Sequence, residues 1–327
     1  MPSPAPSAPP DGAAEHDRRG LATGFGAFLW WGLLPLYFPL LVPAGALEIS
    51  AHRVVWSLVF CFALLAGGRS LPRFIALLRD RRTALRLSLA ALLLAVNWVT
   101  FLVGVLTGRV LDASLGYFIN PIVTVLLAVV VLRERLRRTQ WVAIGIAALG
   151  VFVIGVGYGF VPWIAVILAV SFGLYGLVKK QVGPGVEAVP GLAVETLALT
   201  PLALGYLLYL ALTGDGTFLQ GDGGRFGMAG HALILVSSGV VTAVPLLLFA
   251  AAARRLPLTT LGSLQFVAPI MQFLIGVAVF GEEMAPTRWL GFVLIWCALA
   301  VLSVDGYRTM RANPRALVLS PGNAGSV

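Results

Sequence analysis

The chain has 327 residues, 59% of them hydrophobic and only 11% charged. Such a chain has too few polar side chains to cover a water-facing surface, so a membrane protein is expected and a soluble nucleic-acid-binding protein is excluded. The net charge of +9 therefore needs another explanation, and its distribution along the chain supplies one.

Residues 1–20 (MPSPAPSAPPDGAAEHDRRG) are rich in Pro, Ala and Ser and are expected to form a disordered tail. Acids sit where a secretory signal would be basic, and the next apolar run is long enough to span, so the segment does not read as a signal peptide. Ten apolar runs follow: 22–42, 48–65, 84–106, 111–132, 141–157, 161–178, 190–212, 232–252, 259–280 and 288–304. Each is close to the ~20 residues that a helix needs to cross ~30 Å of hydrocarbon. Their continuous apolarity excludes a β-barrel, whose strands would alternate. The fold class is thus all-α integral membrane protein with ten transmembrane helices. Cys61 and Cys297 both lie inside apolar runs and read as free thiols rather than a disulfide.

About 19 of the 23 Lys and Arg fall before the first run, in alternate loops and in the tail. By the positive-inside bias that side is the cytoplasm, and both termini lie on it. The charge is therefore first a topology signal. One basic segment, 71–82 (LPRFIALLRDRR), reads as an amphipathic helix lying on the inner leaflet.

The fourth and ninth runs are copies of one another. With Pro121 set over Pro269, Phe118 falls on Phe266, Ile122 on Ile270, Glu134 on Glu282, Thr139 on Thr287 and Trp141 on Trp289. About 11 of ~40 positions match up to Val156 over Val304, which indicates an internal duplication. Apolar helices resemble each other in Leu and Val, but not in Pro, Glu, Thr and Trp at one shared offset. Five crossings per copy is an odd number, so the second copy runs the opposite way through the bilayer. The expected units are 21–158 and 159–305, two inverted five-helix repeats, with a tail at 306–327. Inverted repeats characterise many secondary transporters, whose substrate sits where the halves meet.

Pro121 and Pro269 lie near the middle of their spans, and each should free the carbonyl four residues earlier, on Tyr117 and Gln265. Corresponding interruptions in two halves point to a binding site; a packing kink is the plainer alternative. Tyr117, Asn120 and Thr124 share one helical face, and the equivalents Gln265 and Gln272 repeat its polarity. Asn97-Trp98 and Tyr175 add candidates in the third and sixth spans. This lining suits a neutral or cationic small molecule with an aromatic or amide group. Among charged groups in the spans, Glu48, His52 and Glu195 are the candidates for coupling transport to protons, with Arg53 the charged neighbour of His52, against the alternative that acids near helix starts merely complement the helix dipole. No Walker loop, HExxH or Gly-x-Ser-x-Gly elbow occurs, and the three histidines have no metal-ligand spacing, so no cofactor, metal or catalytic set is expected.

Several segments resemble the RarD group of EamA-type permeases, in the drug/metabolite transporter superfamily. They are WGLLPLYF (31–38), EISAHRVVWS (48–57), NW (97–98), DASLGYFINP (112–121), SFGLYGLVKK (171–180), VETLALTP (194–201), GVVTAVPLLLF (239–249), TTLGSLQFVAP (259–269) and LIWCALA (294–300). The resemblance covers nearly all the chain from the first span to the tenth. It implies ten helices in two inverted halves and an inner-membrane permease. It also implies a lysine where this chain has Pro39. The leading expectation is a secondary transporter moving a small metabolite or drug by alternating access. An uncoupled facilitator, an intramembrane enzyme with Glu48 and His52 as acid and base, and a non-transporting subunit are the alternatives.

Overall fold

The computed structural model describes residues 11–132, 136–159, 161–183, 185–219, 224–253, 255–256 and 258–312. All regular structure among them is helical: α1 (Asp11–Tyr37), α2 (Ala46–Gly67), α3 (Leu71–Arg79), α4 (Arg81–Leu106), α5 (Val110–Leu132), α6 (Arg138–Tyr158), α7 (Trp163–Val182), α8 (Ala188–Thr213), α9 (Gly227–Ala253), α10 (Leu258–Leu264), α11 (Val267–Ala278) and α12 (Pro286–Ala312). Ten stretches are long and apolar enough to cross a membrane, and they coincide with the ten apolar runs; α10 and α11 together make the ninth. Helices are what a bilayer permits, because each satisfies its own backbone where no water is present. Side chains such as Leu85, Val156, Leu202 and Leu212 point outward and are more than half exposed, as a lipid-facing surface requires.

The packing of the helices repeats the duplication. Advancing each of the ten spans by five carries α1 to α7, α2 to α8, α4 to α9, α5 to the α10–α11 pair and α6 to α12. The pair α1 with α9 then becomes α7 with α4, α1 with α11 becomes α7 with α5, and α2 with α9 becomes α8 with α4. The pairs α2 with α8, α5 with α11 and α6 with α12 map onto themselves. Each of these nine pairs is in contact. The two halves are therefore interleaved: α1 packs on helices of the second half, and α7 on helices of the first. One core joins α5, α6, α11 and α12 around Phe118, Ile154, Phe273, Phe292 and Ile295. A second joins α1, α2, α4, α5, α7 and α9 around Phe38, Ile49, Phe101, Leu168 and Leu235.

Between α2 and α9 the approach is close enough to require glycine. A Cβ on Gly239 would collide with the backbone of Trp56 and Ser57, and the Ser57 hydroxyl donates to the Gly239 carbonyl at 3.2 Å. Small residues at such crossings let van der Waals contact and hydrogen bonds hold helices together where there is no hydrophobic drive between them.

Three expectations about boundaries change. Helix α1 takes in residues 11–20, half of the expected tail, and α12 runs on to Ala312; residues 1–10 and 313–327 lie outside the described residues. Once a span has nucleated a helix, flanking Ala, Glu and Arg extend it at little further cost. The amphipathic helix stops at Arg79 rather than at residue 82. Asp80 is extended and its carboxylate accepts the backbone N–H groups of Arg82 and Thr83, so it caps the next helix instead of continuing the last. Helix α3 packs on α8, and its Arg73 pairs with Glu187 at 2.7 Å.

Candidate functional site

Helix α2 carries the densest set of polar groups. Glu48, His52 and Trp56 follow one another at single-turn spacing. The Thr217 backbone N–H and hydroxyl both donate to Glu48 Oε1, at 2.7 and 3.0 Å. The same hydroxyl lies 2.9 Å from His231 Nε2. Trp56 Nε1 donates to His52 Nδ1 at 3.3 Å, and the Phe218 ring lies 4.8 Å from the His52 ring. The segment after α8 thus folds over the start of α2 and engages Glu48 and His52.

Arg53 points to a different face and has a different fate. It is 3% exposed, and no other Lys or Arg among the described residues is buried. Its Nε donates to Thr242 Oγ1 at 2.9 Å. The guanidinium carbon lies 5.0 Å from the Phe38 ring centroid and 4.5 Å from that of Trp98. The Nη1 amino group has no hydrogen-bond partner, and no carboxylate among the described residues pairs with Arg53. Phe38 is brought here by the end of α1. The ring of Pro39 fixes φ and removes an N–H, and the chain continues as a 3₁₀ turn, Phe38–Leu41, with Phe38 1% exposed.

A second polar set adjoins it. Asn97 Nδ2 donates to the Leu168 carbonyl and to Ser171 Oγ, both at 3.1 Å, and the Tyr117 hydroxyl donates to Asn97 Oδ1 at 3.0 Å. Phe101 and Phe172 pack on the Tyr117 ring. Tyr37, at the end of α1, donates to the Ile234 carbonyl at 2.8 Å and lies 3.0 Å from Ser237 Oγ. At the far end of α7, Lys179 pairs with buried Glu195 at 2.5 Å and lies 5.9 Å from the Tyr175 ring centroid.

The proline pair does not give the same backbone twice. Helix α5 runs unbroken through Pro121, whereas the ninth span is interrupted at Gln265-Phe266 and restarts at Val267. Pro269 is third in the new helix, where a missing N–H costs nothing; Pro121 lies deep in an established one. Ser114 Oγ donates to the Pro269 carbonyl at 2.9 Å, which ties α5 to α11. Gln272 is buried and its Nε2 donates to the Trp31 carbonyl at 3.3 Å, leaving Oε1 without a partner. Asn120 Oδ1 is also buried and unpartnered. Thr124 is exposed and bonds back to its own helix at the Asn120 carbonyl. Gln265 lies half-buried in the turn. The structure thus joins Tyr117 to Asn97 rather than to Gln265. It brings Arg53, Trp98, Asn97 and Tyr117 into one neighbourhood, and it sets Glu195 and Tyr175 apart.

Thr242, Phe38, Tyr37 and Ser171 were not singled out from sequence. Each lies in a segment that carried the family resemblance, but none is unusual for its surroundings until the helices are packed. A crevice of about 500 Å³ is lined by Phe118, Phe266, Phe273, Trp296 and Leu299, from α5, α12 and the ninth span. It is nearly all apolar and includes none of the groups above.

Charges between the two halves are paired. Buried Asp112 accepts from Arg109 Nε at 2.8 Å and from Arg288 Nη2 at 3.3 Å. Glu282, in the segment after α11, accepts the backbone N–H groups of Val110 and Leu111 at 2.5 and 3.1 Å and so caps α5 from the other half. Burial holds the Glu282 carboxyl above the usual glutamate value, and the two backbone donors offset this in part.

Comparison with known proteins gives a consistent result. A protein named RarD from Streptomyces exfoliatus is 48% identical over 91% of this chain and 92% of its own length. An uncharacterised transporter of Pseudomonas aeruginosa is 43% identical over 93% of this chain and 99% of its own. A second protein of that organism, named chloramphenicol-sensitive protein RarD, is 30% identical over 91% and 97%. A crystal structure 19% identical in sequence superposes with a TM-score of 0.56 over 89% of this chain and 98% of the other, a likeness of fold. The EamA-like transporter family matches residues 18–156 and again 160–304. With ten spans, a duplicated packing and two matches that together cover most of its length, the chain belongs to the EamA-like transporter family.

Proposed function

We propose that this protein is a secondary permease of the cell inner membrane that moves a small solute by alternating access. The observation that carries the reading is where the buried and half-buried polar contacts lie. Arg53 to Thr242, Asn97 to Ser171, Gln272 to Trp31 and Tyr37 to Ile234 each run between the first six helices and the last six. Polar groups in hydrocarbon are expensive unless they face one another or a solute. Here they gather at the join and leave the Arg53, Asn120 and Gln272 side chains incompletely partnered. Units 21–158 and 159–305 then rock against each other around this lining, with both termini cytoplasmic. Rocking exposes the same residues alternately to each side, as in other inverted-repeat carriers.

The full chain reconstituted alone in lipid vesicles tests the reading. Flux of a panel of small acids, amines, amides and amphenicols is expected for at least one class, and it should be lost when Asn97 is replaced by Ala. Turnover of vesicle lipid without flux would make the protein an enzyme. Folded protein that does neither would make it a subunit of something larger.

A further inference from the structure

The strongest unexplained feature is the charge on Arg53. Among the described residues, the buried carboxylates are answered by this chain: Asp112 by two arginines, Glu195 by Lys179, and Glu48 by the two donors of Thr217. Arg53 is as deeply buried as these and receives one hydroxyl and two aromatic faces. Aromatic faces attract a cation but do not neutralise it. Its Nη1 amino group, on the guanidinium edge, has no partner and is left to donate to a bound group. A guanidinium edge is the shape that a carboxylate fits with two parallel hydrogen bonds.

Resting on the permease reading, we propose that Arg53 is the anchor of the solute site and that the solute is a small organic monoanion held by its carboxylate. This departs from the neutral or cationic solute suggested by the fourth and ninth spans alone. Tyr37 and Tyr117 both spend their hydroxyl protons on protein acceptors, so the rings rather than the hydroxyls form the nearby walls. One uncompensated positive charge matches one negative charge; a dianion would leave an excess. With the anion bound, the centre is neutral, and the loaded carrier reorients without an unpaired charge in low dielectric.

Melting of the purified full-length protein is measured with millimolar lactate, phenylacetate and 3-phenylpropionate, and with the matching amides. At least one carboxylate is expected to raise the melting temperature where its amide does not. Arg53→Gln should weaken that carboxylate by about tenfold or more, and Arg53→Lys by less, since an ammonium keeps the charge but not the fork. Without added solute, Arg53→Gln should melt no lower than the wild type, because it removes an unpaired buried charge; a purely structural arginine would make it melt lower. Equal response to acid and amide, no response to any of the three acids, or an undiminished response in Arg53→Gln overturns the proposal. If Arg53→Gln fails to fold, the acid-against-amide comparison on wild-type protein decides. Vesicle flux separates the two readings: acids that bind but never cross sink the permease and leave the anion site, whereas amines or amides that cross when acids neither bind nor cross sink the anion site and leave the permease.

Discussion

Asp112 and Glu195 look alike in the sequence, each a single acid near the start of a span, yet their surroundings predict different consequences. Asp112 is 1% exposed and stands between Arg109 and Arg288. Asp112→Asn leaves two guanidinium groups around one neutral acceptor, which should cost ~3 kcal/mol or more. Glu195 holds Lys179, whose side chain is 34% exposed. After Glu195→Gln the ammonium can turn to water or headgroups, so a smaller loss of ~1 kcal/mol is expected. Detergent melting of the two variants should show the larger drop for Asp112→Asn. For transport the order reverses if Glu195 carries protons: uphill flux should then fall more in Glu195→Gln, and flux that ignores pH between about 5 and 8 in both variants and wild type would rule that role out. Arg53 was visible in the sequence only as the neighbour of Glu48 and His52. What singles it out is the lack of a carboxylate partner among the described residues, and the residues that meet it instead, Phe38, Trp98 and Thr242, lie up to 189 positions away.

At the scale of elements, the contacts that fix helix positions are short-ranged and specific. Gly239 lets α9 touch the backbone of α2. Gly239→Leu should separate the two helices, cost ~1–3 kcal/mol by overpacking, and displace Thr242 from Arg53; Gly205→Leu, with open space beside it, should melt like the wild type. The cap on α5 gives a pH prediction. Because burial raises the Glu282 pKa, the folded protein holds this proton more tightly than the unfolded chain does. That increment of stability is full below the ordinary glutamate value of 4.5 and is lost as pH rises through the raised one. Glu282→Gln keeps an acceptor for one backbone N–H and cannot titrate, so its melting temperature should depend less on pH above 4.5 than the wild type's.

For the whole molecule, the asymmetry of basic residues predicts an orientation that can be measured. With Cys61 and Cys297 replaced, single cysteines at Gln181 and Asp215 are treated with a membrane-impermeant thiol reagent on intact cells. Labelling at Asp215 and not at Gln181 is expected; the opposite pattern would invert the topology. The same experiment constrains the site, since the Thr217–Phe218 segment over Glu48 and His52 would then lie on the outer side.

The sequence by itself determined the class, the ten spans and the duplication. In a bilayer the apolar run length and the obligation to satisfy every backbone group leave helices as the answer, and these are local properties of the chain. It also marked Tyr117, Asn120, Thr124, Gln265 and Gln272 as polar groups that should turn inward; Asn120 and Gln272 are buried, Tyr117 and Gln265 half-buried, and Thr124 is exposed. Partner identity was beyond its reach. Tyr117 was matched to Gln265 by repeat register, but its hydroxyl meets Asn97 on α4, because a helix face can be read from spacing while the helix it faces cannot. The two prolines were equivalent in register and unequal in effect, since a proline breaks or tolerates a helix according to how far the helix has already run. Charge balance, the feature that marks Arg53, was decided only by the tertiary structure, because a salt bridge joins residues that distance in sequence does not relate.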